Sequence, residues 1–125
     1  MRLAHTMIRV RDLDASLEFY CDFLGLQEIC RKDLGDDATL VFLTDDSQKY
    51  HIELKFNKNG RDYTIRNQFG HLAFHVDDLD WVISDVKDRS WWFRQSKPTS
   101  SSQYNFIHDP DGYDVEILQV PSAQN

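Results

Sequence analysis

The chain has 125 residues, 41% of them hydrophobic, and a formal net charge of −7. That is one domain's worth of chain, or two small packed modules, with enough apolar material for a core. The acidic balance argues against nucleic acid, where affinity rests on neutralising phosphates, and no apolar run is long enough to span a bilayer.

No charged-then-apolar leader precedes the first strand, so a cytoplasmic protein is expected. Cys21 and Cys30 suit neither a disulfide framework nor a thiolate zinc site, and both read as buried small hydrophobes.

Residues Arg2 to Arg9 alternate as a strand, with Leu3, His5, Met7 and Arg9 on one face and Ala4, Thr6, Ile8 and Val10 on the other. Asp12 or Asp14 can cap a helix whose apolar stripe is Leu13, Leu17, Tyr20 and Leu24, and which ends at Gly25. Strands are expected at about Leu26 to Lys32, Thr39 to Thr44 and Tyr50 to Phe56, followed by a polar loop from Asn57 to Gln68. A strand from His71 to Val76 restarts the pattern. A helix follows from about Asp80 to Arg89, with Leu79, Val82 and Val86 inward. Strands near Trp92, at Tyr104 to Ile107 and at Asp114 to Val120 complete it, with Asp109-Pro110-Asp111-Gly112 a turn before the last. Pro121 to Asn125 reads as a frayed tail.

The two halves are copies. HTMIRVRDLD (5–14) aligns with HLAFHVDDLD (71–80), and YHIEL (50–54) with YDVEI (113–117). A repeat of this size is a duplicated supersecondary unit. Each copy reads βαβββ, about 1–57 and 69–120, in one domain spanning 1–125. Each begins on a histidine strand and ends on a glutamate strand. Taken alone, Glu53 or Glu116 reads as a solvated charge on a half-exposed sheet face. The recurrence of both residue types at matching places points instead to one metal site, because imidazole and carboxylate together suit first-row divalent cations.

These residues carry a resemblance to glyoxalase I (lactoylglutathione lyase), of the vicinal oxygen chelate superfamily. HTMIRVRDLDASLEFYCDFLGL resembles the family's first βα unit. ELKFN (53–57), FGH (69–71) and DPDGYDVEIL (109–118) resemble three further signatures. The resemblance implies an α+β fold of tandem βαβββ modules whose half-barrel sheets form a metal cavity, in a homodimer with sites at the interface. It makes His5, Glu53, His71 and Glu116 the metal ligands, with Glu116 as base and Glu53 its counterpart. Arg9 and Asn57 match positions that contact glutathione. The implied reaction isomerises the hemithioacetal of methylglyoxal and glutathione to S-lactoylglutathione, with nickel favoured over cobalt or zinc.

Two places depart from the family pattern. A lysine that usually holds a substrate carboxylate is absent before the last strand pair, where Lys97 or the hydroxyls of Ser100 to Ser102 could substitute. An arginine found in some relatives is replaced by Asn67, beside Arg66. Trp91-Trp92-Phe93 reads as core, dimer interface or substrate wall, and His51, His75 and His108 as neighbours of the site. A different enzyme of the same superfamily, using another thiol or substrate, and a non-enzymatic binding protein are the alternatives.

Overall fold

A computed structural model describes residues 1–60, 63–97, 99 and 103–121. The chain forms two compact units, Met1–Thr64 and Ile65–Asn125. Each is a four-stranded open mixed sheet with one helical segment, in α+β order.

In the first unit the strands are β1 (His5–Val10), β2 (Gln27–Asp33), β3 (Ala38–Thr44) and β4 (His51–Asn57). The sheet order is β1-β4-β3-β2, with β1 parallel to β4 and the other pairs antiparallel. The expected start at Arg2 is corrected to His5. The parallel partner β4 begins at His51, which pairs with His5, so the ladder supplies no strand residue opposite Arg2 to Ala4. Ile8, Leu54 and Val41 form one row across the sheet, and all three are buried.

The helix α1 (Leu13–Leu17) starts at Asp12, whose carboxylate accepts the Ala15 N–H at 3.1 Å. It then widens into a π-helical segment, Glu18–Phe23. The expected stripe holds only in part. Tyr20 is buried as expected, but Leu13, Leu17 and Leu24 are only half-buried, and Ser16 and Phe19 are buried instead. The looser winding rotates two consecutive aromatics inward together. Gly25 then takes φ +82, a left-handed conformation that glycine adopts at no steric cost.

The second unit repeats the plan with β5 (His71–Val76), α2 (Leu79–Asp88), β6 (Phe93–Gln95), β7 (Asn105–His108) and β8 (Asp114–Gln119), in sheet order β5-β8-β7-β6. Asp78 caps α2 as Asp12 caps α1, accepting the Trp81 N–H at 3.0 Å. Val82, Ile83 and Val86 of α2 are buried, as are Ile107, Val115 and Ile117 of the sheet. Gln119 ties the end of β8 to the start of α2: its side-chain oxygen accepts the Leu79 N–H at 2.9 Å and its amide donates to the Asp77 carbonyl at 2.7 Å. The Asp109 to Gly112 turn forms around the buried Asp109 carboxylate, which accepts the Asp111 and Tyr113 N–H groups at 2.9 Å each. Among the described residues no helix is long and apolar enough to cross a membrane.

Neither cysteine is a buried hydrophobe as expected. Cys30 lies exposed on the edge strand β2, and Cys21 is only partly covered. Burial, then the charges of Glu28 and Asp22, push the Cys21 thiol up, which favours its protonated form.

Leu54 is fully buried in a central strand between Ile8 and Val41. Leu54→Ala is expected to cost about 2–5 kcal/mol, because the strands around it cannot close the cavity. Urea unfolding measures it.

Candidate functional site

Strand alternation decides which face of each sheet carries the chemistry. In the first unit Ile8 and Leu54 point into the core, so His5, Met7 and Arg9 of β1 and His51, Glu53, Lys55 and Asn57 of β4 occupy the opposite face. In the second unit Val115 and Ile117 are buried. Asp114, Glu116 and Leu118 of β8 therefore share the other face with His71, Ala73 and His75 of β5.

On each of these faces the paired histidine and glutamate meet. His5 Nε2 lies 3.3 Å from a Glu53 carboxylate oxygen, and His71 Nε2 lies 3.5 Å from one of Glu116. Both histidine side chains are 41% exposed, whereas Glu53 and Glu116 are 12% and 18% exposed. Sheltered carboxylates thus stand behind accessible imidazoles, in the same way in both units. The separations exceed the usual hydrogen-bond range of about 2.7–3.2 Å. They lie close to the spacing of neighbouring ligands of one cation: two atoms each about 2.1 Å from a divalent metal stand roughly 3.0–3.4 Å apart in octahedral or tetrahedral geometry. Each imidazole–carboxylate pair is a donor set that suits a borderline or first-row divalent ion. Among the described residues no group of three or more His, Cys, Asp or Glu side chains gathers at one point.

Two phenylalanines complete the likeness, and the sequence reading did not single them out. Phe42 of β3 is the direct cross-strand neighbour of Glu53, and Phe106 of β7 is that of Glu116. Each ring meets the adjacent imidazole edge to face: His5–Phe42 at 5.5 Å and 86°, His71–Phe106 at 5.0 Å and 79°. Such contacts fix the plane of a histidine ring whose outer nitrogen is left to bind. The signal was present, since VFLT and NFIH occupy matching places in the repeat.

The remaining candidates fall as follows. Arg9 is exposed on the His5 face, directly opposite Lys55. Asn57 closes β4 on the Glu53 face, and its amide donates to the Tyr63 hydroxyl at a cleft of about 370 Å³ bordered by Val10, Arg11, Phe56 and Lys58. Lys97 is exposed just beyond β6. Pro98 and Ser100 to Ser102 lie outside the described residues. His108 faces the same way as Glu116, lies 3.0 Å from an Asp114 carboxylate oxygen and stacks on Trp92 at 3.9 Å and 14°. Trp92 is 46% exposed, so it lies outside the core. Trp91 carries the Arg89 guanidinium 4.9 Å above its ring.

Comparison with known proteins agrees with the tandem α+β fold. Residues 2–117 match the model of the Glyoxalase/Bleomycin resistance protein/Dioxygenase superfamily. The chain is 37% identical to a probable lactoylglutathione lyase of Synechocystis, over the whole of both chains. It is 38% identical to one of Vibrio cholerae, over 98% of this chain and 93% of that one. Among solved structures it resembles the trypanothione-dependent glyoxalase I of Leishmania major, with a TM-score of 0.79 and 34% identity over 95% of this chain and 86% of that one.

Proposed function

We propose that this chain, which belongs to the Glyoxalase/Bleomycin resistance protein/Dioxygenase superfamily, is a lactoylglutathione lyase. It isomerises the hemithioacetal of methylglyoxal and glutathione to S-lactoylglutathione, a detoxification of methylglyoxal. The observation that carries this is the pair of His–Glu bites, His5–Glu53 and His71–Glu116, at metal-ligand spacing in repeat register. His5, Glu53, His71 and Glu116 would hold one divalent cation, with nickel favoured and cobalt or zinc as alternatives. A bound cation supplies charge stabilisation to the two adjacent substrate oxygens.

The reaction moves one proton between neighbouring carbons. A carboxylate takes it from the carbon bearing sulfur and returns it to the former ketone carbon, while the hydroxyl proton passes to the neighbouring oxygen, so the sulfur-bearing carbon becomes the thioester carbonyl and no redox partner is needed. Glu116 is the base in this reading and Glu53 its counterpart. Their shelter from water favours this work, because a base surrounded by bulk solvent exchanges its proton before returning it. Arg9, Asn57 and Lys97 orient the thiol portion.

We take the active form to be a homodimer with its sites at the subunit interface. What supports this is that each unit on its own gathers half of the ligand set. The two free cysteines agree with a reducing, cytoplasmic compartment.

The decisive assay follows thioester formation from methylglyoxal with glutathione, and in parallel with trypanothione. Turnover with glutathione is the expected result. Turnover with trypanothione alone would reassign the thiol, and none with either would sink the lyase reading.

A further inference from the structure

Arg94 lies on β6, the edge strand of the second sheet, and is exposed. Cross-strand pairing places it in one row with the proposed base: Arg94 opposite Phe106, Phe106 opposite Glu116, Glu116 opposite Ala73. Residues directly opposite in a ladder share a face, so the guanidinium rises on the Glu116 side. Two aromatic rings seat it, Tyr104 at 5.3 Å and Phe106 at 5.4 Å from its central carbon. Among the described residues it has no carboxylate partner, in a chain with 21 acidic residues. Stacking leaves the edges of a guanidinium free, and those edges form the planar fork that grips a carboxylate with two parallel hydrogen bonds.

Resting on the lyase reading above, we infer that Arg94 is the anion anchor of this site, binding a carboxylate of the thiol co-substrate. Arg94 and Glu116 are two strand spacings apart, roughly 10 Å. A peptide thiol reaches about 3.3–3.6 Å per residue, so a carboxylate two or three residue lengths from the reacting sulfur spans that gap. Lys97, by contrast, is a point charge past the end of β6 with no aromatic seat among the described contacts. Arg94 is a binding residue and takes no part in the proton transfer.

The test is calorimetric binding of S-methylglutathione and of its diethyl ester to the full-length protein, as wild type, Arg94→Gln and Arg94→Lys. Wild type is expected to prefer the free acid by about 10- to 100-fold, the worth of a charge-assisted pair. Arg94→Gln should cut that preference by about tenfold, leaving only the share that Arg9 and Lys97 contribute, and Arg94→Lys, which keeps the charge and the aromatic seat, should lose less of it. In turnover, Arg94→Gln should raise KM for the hemithioacetal while kcat stays within about threefold, the mark of lost uniform binding. An undiminished preference in Arg94→Gln, or none in wild type, overturns the assignment. A wild type that prefers the acid through Arg94 yet forms no thioester upholds Arg94 and defeats the lyase reading instead.

Discussion

Replacing Glu116 with glutamine is expected to slow thioester formation by about 10²- to 10⁴-fold, the usual worth of a positioned general base. The amide keeps the shape of the side chain but loses the charge that accepts a proton. Val115 and Ile117, both fully buried, hold this stretch of β8 in place on either side, so the backbone should not move. Melting of the metal-stripped form should shift little, since Glu116 is partly exposed and its described contacts stop at His71. Glu53→Gln supplies the comparison. It sits at the matching place of the repeat, 3.3 Å from its own histidine and equally opposite a phenylalanine. If Glu116 is the base and Glu53 the counterpart, Glu53→Gln should be the milder of the two in kcat. Steady-state rates on both variants, read from thioester absorbance with metal content measured alongside, decide the matter. A Glu116→Gln protein that keeps its metal and turns over within about threefold of wild type would remove Glu116 as the base.

The face carrying these carboxylates was legible because a strand has period two. Once Ile8 and Val10 were placed inward, His5, Met7 and Arg9 had to face the other way, and the same held for Glu53 against Leu54. The repeat then doubled the information, matching His71 and Glu116 to the first pair and Asp78 to Asp12 as helix caps. The first helix resisted the same treatment. Helical spacing was read at 3.6 residues, and nothing in EFYCDF announces that the winding loosens at Glu18, so Phe19 was missed as a core residue. β6 resisted for a different reason. Three residues are too few to show a period, so the side on which Arg94 stands became visible only through its pairing with Phe106. The exposure of Cys30 was hidden likewise, because edge position is a property of sheet order and not of local sequence.

Stripping the protein with a chelator is expected to abolish turnover, and adding back nickel to restore it more fully than zinc. Melting gives a readout independent of activity. A ligand present at about a thousand times its dissociation constant stabilises the folded state by about 4 kcal/mol, which raises the midpoint on the order of 10 °C for a chain of this size. His71→Ala isolates the contribution of one imidazole. Its side chain is 41% exposed, so the stripped variant should melt close to the stripped wild type. With one of four ligands gone, the rise on adding metal should fall by at least about half, because each tenfold loss of affinity removes about 1.4 kcal/mol of linkage. Glu53→Gln should shrink the same rise from the other unit of the chain. A common effect of both substitutions is the result expected of a common ion. A metal-induced rise untouched by either substitution would place the ion elsewhere. No rise with nickel, cobalt or zinc would remove the metal centre from this reading altogether. Zinc restoring full turnover where nickel does not would leave the four ligands in place and overturn only the choice of metal.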